Sequence, residues 1–311
     1  MVFLKSVLAY AALISAAAVP TAPSVSFAGE KGRFSVNLKY NEDFQRNASE
    51  PSVVARGYGS GTAVAYNCKA HPDAEYYAEL LDRVSIAGAS VDSQGIEYAT
   101  DVYALRDGGG ILGAPISGIV GFGFDSNNRA SPQQKTLFSN LKPHLDEPVF
   151  TVDLRHKTDG TFGFGFVDHS KYTGALTYTA VDSSRGFWAI TATGYQIGDD
   201  NFVPFKFSGI VDTGGSMFRV PTAAYRAWKR KVPAAITRKT VLPDFSFGIG
   251  DAVITVPGSH LIQITADGTY SFSITDAGNG PVLFGSPAMT GAYVVFEDGD
   301  DGPRMGWAKS A

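Results

Sequence analysis

Gly209-Ile210-Val211-Asp212-Thr213-Gly214 is the stretch of this 311-residue sequence whose residue types and order best suit chemistry. Apolar residues run straight into an aspartate, followed by a threonine and a glycine. A buried strand of that kind ends in a tight turn that holds a carboxylate at the strand's mouth. Gly214 lets the backbone pass close enough for its N–H to reach that carboxylate. A carboxylate so held can act as general base or general acid. The same tripeptide is also ordinary turn chemistry, in which an Asx-turn satisfies the aspartate. The residues alone leave both readings open.

Other chemistries find no starting point. The five histidines, His71, His144, His156, His169 and His260, are scattered without the i,i+4 spacing of a helical zinc site. Each reads as a surface or loop residue, and neither a metal nor a cofactor is expected. No Gly-x-Ser-x-Gly elbow and no phosphate-cradling loop occurs. The single cysteine, Cys68, cannot form an internal disulfide and reads as a small buried hydrophobe rather than a nucleophile.

The elements that must position Asp212 are mostly strands. Residues 84–86 lead into an Ala87-Gly88 turn, and 96–103 follow. Apolar pieces come next at 119–124 and 149–154. Strict alternation at 176–180 predicts a strand with one buried face. Residues 251–256 and 292–296 are further strands. Ser131, Pro132 and Gln134 spell a helix start, with Leu137, Phe138 and Leu141 as its apolar face. A second helix is predicted from Pro221, with Ala224, Tyr225 and Trp228 at helical spacing.

Composition agrees. Charged residues make up 18% and aromatics 12%, and there are 35 glycines, a balance that favours packed sheets over helical bundles. The net charge of −4 gives no reason to expect a nucleic-acid partner. Lys5, the apolar run 6–19 and Ala16-Ala17-Ala18 read as a signal peptide over 1–20, and so as secretion to the extracellular medium. That run is too short to span a bilayer comfortably, and no other segment approaches spanning length, so no membrane association is expected. In a secreted chain Asn47-Ala48-Ser49 is a glycosylation acceptor.

Several blocks in order resemble the fungal pepsin-like aspartic peptidases (family A1, penicillopepsin-like). They include Gly118-Ile119-Val120-Gly121-Phe122-Gly123-Phe124, Glu147-Pro148-Val149-Phe150, Gly163-Phe164-Gly165-Phe166-Val167-Asp168 and Gly186-Phe187-Trp188. Asp212-Thr213-Gly214, Leu242-Pro243-Asp244-Phe245 and Tyr293-Val294-Val295-Phe296 continue the series. The resemblance runs from about Tyr66 to the C-terminus. It implies an all-β, bilobal acid-protease fold with a truncated N-terminal lobe and a few short helices. The implied organisation is a signal peptide at 1–20, a pro-segment-like or divergent lead-in at 21–60, a truncated N-terminal lobe at 61–175 and a C-terminal lobe at 176–311.

In that family two Asp-Thr-Gly turns face each other and share a proton, because two such close carboxylates cannot both ionise. The resemblance makes Asp212 the second-lobe aspartate, Thr213 its bracing threonine and Gly214 the closing glycine. Leu283-Phe284-Gly285 and Ile119-Val120-Gly121 would complete the loops of the two lobes. No second Asp-Thr-Gly or Asp-Ser-Gly exists in the sequence. Asp92-Ser93-Gln94-Gly95 fits a plain strand pair instead. Tyr66 stands where the substrate-binding flap has its tyrosine, but Asn67-Cys68-Lys69 follows in place of a Gly-rich tip. Gly215 lacks the hydroxyl that usually bonds the catalytic carboxylate, and Arg219 enters a run that is normally apolar.

The function implied is an aspartic-type endopeptidase homologue, monomeric, that acts on or binds a polypeptide in its cleft with proteolysis impaired. One alternative is an active acid endopeptidase whose first lobe is lost to a faulty gene model. Another is a cleft recruited for small-molecule chemistry or binding.

Overall fold

The computed structural model describes residues 24–38, 77–99, 120–128, 133–237, 239–264 and 269–311. The signal-peptide reading at 1–20, Asn47, Tyr66, Cys68 and His71 lie outside these residues. In chain order the first strands are β1 (Val25–Phe27), β2 (Phe34–Leu38), β3 (Tyr77–Ile86) and β4 (Ala89–Ala99). Helix α1 (Leu137–Leu141) precedes β5 (Val149–Asp153), β6 (Gly160–Phe164) and β7 (Tyr172–Ala180). Next come β8 (Ala189–Ala192), β9 (Tyr195–Ile197), β10 (Phe207–Val211), β11 (Phe218–Val220) and α2 (Thr222–Lys231). The last part holds β12 (Phe245–Ile249), β13 (Ala252–Val256), β14 (Ile262–Ile264), β15 (Tyr270–Phe272), β16 (Ile274–Asp276) and β17 (Val282–Phe284). Helix α3 (Ser286–Met289), β18 (Ala292–Gly299) and β19 (Gly302–Ser310) end the chain. The fold is all-β with a few short helices.

Two sheets frame the site. A six-stranded sheet in the order β2-β6-β5-β18-β19-β7 forms the base. Val149–Asp153 is buried at every position, as a central strand covered on both faces requires. Its Phe150 stacks on Phe296 of β18 at 4.4 Å and meets the Trp188 ring edge-on at 5.7 Å. Trp188 in turn donates its indole N–H to the Phe122 carbonyl at 2.8 Å. The second sheet, β16-β11-β17-β10-β8, carries Asp212 at the end of β10. Phe207, Val211, Phe218, Val220 and Phe284 all face its buried side.

The sequence expectations meet this structure unevenly. The predicted strands at 149–154, 176–180, 251–256 and 292–296 fall in β5, β7, β13 and β18. Helix α2 has Ala224 and Trp228 buried, as their spacing implies. Residues 120–124, expected as a strand, are irregular: Phe124 N–H donates to Gly186 O rather than to a neighbouring strand. The helix expected to begin at Ser131 is α1, which starts six residues later, capped by the Thr136 hydroxyl accepting from Ser139 N–H at 3.1 Å. Before it, Thr136 N–H bonds the Asp125 carboxylate and Gln133 bonds the Asp125 carbonyl, so 133–136 stay extended. Strand β7 lacks the expected single buried face. Leu176 and Tyr178 pack on the Val149, Tyr293 and Val295 cluster, while Thr177 on the other face approaches Gly250.

The lead-in at 21–60 is not structureless where it is described. Residues 34–38 add β2 to the edge of the six-stranded sheet, where Phe34 stacks on Phe164 at 4.6 Å with the rings nearly parallel. Alternation at Phe34-Ser35-Val36-Asn37-Leu38 is what lets the segment pair this way. The expected division at 175/176 falls inside β7, and the basal sheet takes strands from both sides of it.

Core and edge positions differ in consequence. Phe150→Ala is expected to cost about 3–5 kcal/mol, because five aromatic neighbours cannot collapse into the gap. Phe34→Ala is expected to cost only about 1–2 kcal/mol, since its ring is half-buried at an edge. Urea unfolding of the two variants checks the ranking.

Candidate active site

Strand β10 delivers Asp212 into a turn closed by its own backbone. Asp212 is 2% exposed, and Gly214 N–H donates to its Oδ1 at 3.0 Å. Gly215 N–H donates to the Asp212 carbonyl at 3.1 Å. This is the turn that both sequence readings shared. What distinguishes it from a surface Asx-turn is its burial and what holds it. Strand β17 runs parallel to β10, pairing Ile210 with Leu283 and Val211 with Phe284. Asp212 N–H then donates to Phe284 O at 3.0 Å, and Ser286 N–H donates to Gly215 O at 2.7 Å. Leu283-Phe284-Gly285 therefore clasps the aspartate loop from the neighbouring strand.

Two glycines make the clasp possible through space rather than backbone angle. A Cβ on Gly285 would lie 2.2 Å from Met217 O and 2.6 Å from Gly215 O, both backbone atoms. A Cβ on Gly215 would lie 3.2 Å from Asp212 Oδ2 and 3.0 Å from the Leu283 side chain. Position 215 thus lies beside the carboxylate, and glycine there offers it no hydroxyl. Thr213 is half-buried and lines a small opening together with Phe122, Phe150, Trp188, Ile210 and Phe296. Phe122 belongs to the Gly121-to-Phe124 stretch, so the fold brings that stretch beside the Asp212 loop. Ile119 and Tyr66 lie outside the described residues.

Sequence reading missed a histidine pair. His156, after β5, and His260, after β13, stack at 4.2 Å with rings 11° from parallel. Burial first, then His260 and Lys157, push the His156 imidazole down to about 4. His260 is also lowered by burial, against the opposing pull of Asp244. His260 Nδ1 lies 2.9 Å from the Thr290 hydroxyl. A spacing of 104 residues leaves no local signal for this contact. Among the described residues no group of three His, Cys, Asp or Glu side chains is placed to hold a metal ion.

The aspartate is thus buried in a strand-ending Asp-Thr-Gly turn and clasped by an apolar-apolar-Gly strand on an all-β fold. The chain belongs to the eukaryotic aspartyl protease family, whose description matches residues 73–310. It is 35% identical to endothiapepsin of Cryphonectria parasitica over 267 residues, covering 80% of this chain and 61% of that protein. It is 37% identical to aspergillopepsin-1 of Aspergillus oryzae over 245 residues, covering 74% and 60%. Penicillopepsin-2 of Penicillium janthinellum is 32% identical over 294 residues, covering 89% and 72%. The chain thus spans about three-fifths of the length of the first two relatives.

Gly285→Ala is expected to force the clasp open and cost about 2–3 kcal/mol, read as a lower thermal midpoint. The histidine pair gives a pH dependence of known sign. With the folded His156 depressed to about 4, the unfolded chain takes up its proton first. Stability is therefore full above about pH 6.5 and falls as the pH drops toward about 4. His156→Gln is expected to flatten that fall by about 1–2 kcal/mol after allowance for solvent screening, seen in urea midpoints across this range.

Proposed function

We propose that this protein is a secreted, monomeric pepsin-like homologue that holds an extended polypeptide in the cleft beside Asp212 and cleaves it poorly or not at all. The observation that carries the proposal is the count of motifs. The two-carboxylate reaction needs two Asp-Thr-Gly turns, and the sequence supplies the one at Asp212. Gly215 supports it, since this position, next to the Asp212 carboxylate, carries no hydroxyl. Removing one member of a cooperative catalytic set typically costs several orders of magnitude in rate. Secretion rests on the 1–20 signal-peptide reading, and Tyr66 is proposed as the flap residue over the bound chain. Among the described residues no helix is long and apolar enough to cross a membrane.

A second reading, an active acid endopeptidase whose first lobe is lost to a faulty gene model, is supported by the family match over residues 73–310. A transcript encoding an Asp-Thr/Ser-Gly segment upstream of Tyr66 would establish that reading.

For the 311-residue chain, no pepstatin-sensitive cleavage of a denatured protein is expected at about pH 4. Cleavage that disappears in Asp212→Asn would overturn the impaired-peptidase proposal.

A further inference from the structure

Charge is shared unevenly along this chain, and one segment stands out. Residues 213–243 contain seven Lys and Arg and no Asp or Glu, whereas the whole chain holds 26 of the former against 30 of the latter. A net-acidic protein therefore carries one strongly basic segment. Helix α2 and the loop after it form the surface of that segment. Each residue advances roughly 100° around a helix, so the buried Ala224 and Trp228 lie opposite Arg226, Lys229 and Arg230. These three are exposed on one face and span about one turn, or about 6 Å along the axis. Lys239 is exposed in the following loop, on a turn closed by Thr240 N–H donating to Thr237 O at 3.0 Å. The end of the loop is tied back to the helix, since Trp228 donates its indole N–H to Pro243 O at 2.9 Å.

Stability does not account for these cations. The C-terminal end of a helix carries about half a negative charge, and Lys231 in the last turn already offsets it. Lys231 is also paired with Asp200. By contrast, Arg226, Lys229, Arg230 and Lys239 have no carboxylate within 4 Å among the described residues. Asp276, which feels the charge of Arg226, is held by the Thr222 hydroxyl at 2.7 Å and by Gly278 N–H at 2.8 Å. Lys229 Nζ lies 4.2 Å from the centre of the Phe272 ring, a contact that steadies the ammonium without neutralising it. Like charges three and four residues apart destabilise a helix. Arg226 with Lys229 and Arg230 is such a set, so α2 carries a charge pattern that its own folding disfavours.

The layout selects the kind of anion. A row of cations along a helix face suits charge repeated along a chain better than a single phosphate. Rings that could stack on bases are turned away, with Trp228 buried and Tyr225 half-buried. Among the described residues of the segment Val241 is the large apolar side chain that is exposed, too little to enter a bilayer. In an extended polypeptide alternate side chains share a face about 6.5–7 Å apart, close to the rise of one helical turn. Guanidinium groups take carboxylates in a two-pronged fit. We propose that the exposed face of α2, together with Lys239, is a docking surface for an extended, acid-rich polypeptide segment with Asp or Glu at alternate positions. The proposal does not depend on what Asp212 does.

The test uses the full chain and a fluorescein-labelled dodecapeptide in which Glu alternates with Ser, beside its Gln counterpart. Binding is followed by anisotropy at about pH 7 and low salt, where the carboxylates are ionised. The Glu peptide should bind about ten-fold tighter than the Gln peptide, and the difference should shrink in high salt. It should disappear in the double variant Arg226→Gln with Arg230→Gln, whose thermal midpoint shows whether the helix is intact. Lys239→Gln, outside the helix, should weaken binding about two-fold and keeps the test decisive if the double variant unfolds. Lys31→Gln with Arg185→Gln removes the same charge from exposed positions elsewhere and should leave binding unchanged. Equal binding of the two peptides would overturn the proposal. So would a preference that survives both α2 and Lys239 variants, or one lost equally in the Lys31 and Arg185 control. Tighter binding, charge for charge, to heparin or to phosphatidylserine vesicles than to the Glu peptide would also overturn it.

Discussion

The parallel pairing of β10 with β17 is the constraint on which the rest of the site depends. It aligns the Asp212 N–H with Phe284 O and the Ser286 N–H with Gly215 O, so the aspartate loop is gripped by hydrogen bonds from a segment far away in sequence. Those bonds form only because the two loops approach to contact, and that approach has no room for a Cβ at Gly285. The burial of Asp212 and the position of Leu283 against it both follow from the same register. A slip of one residue would turn Phe218 and Phe284 out of the core, where both are fully buried, so the register is held by the hydrophobic interior as much as by the ladder.

Beneath this sheet the aromatic cluster of Phe122, Phe150, Trp188 and Phe296 joins the site to the basal sheet. The cluster is packed edge-to-face and stacked on one side and borders the small opening beside Thr213 on the other. The same residues therefore serve as interior and as wall. Away from the site, the buried Asp153 carboxylate is matched by the Arg155 guanidinium through two short contacts, with Lys171 nearby. A buried acid with full pairing specifies the end of β5 without needing any role in chemistry.

Much of this was legible in the sequence, for reasons that can be traced to particular residues. Ala224 and Trp228 declare α2 because helical spacing is a local property, and β5 and β18 declare themselves as apolar runs. The Asp212 turn was legible from its residue types, and its clasp through family resemblance. The failures share a cause. The late start of α1 is decided by the Asp125 carboxylate, eleven residues away from the Thr136 N–H it accepts from. The His156–His260 stack and the Ile210–Leu283 pairing are decided by which strands become neighbours, a property that no local pattern encodes. In each case a distant partner settled the conformation.

The β10–β17 clasp also sets a time at which the site can come into being. Gly209 meets Val282, and β5 meets β18, across separations that span a large part of the chain. Contacts of such long sequence separation form slowly, because loop closure must precede any gain from pairing. During synthesis from the N-terminus, the aspartate turn emerges well before the strand that grips it. The buried carboxylate is thus a late product of folding, and an intermediate stalled before β17 docks would present β10 as an open edge, the kind of surface that invites pairing with another chain.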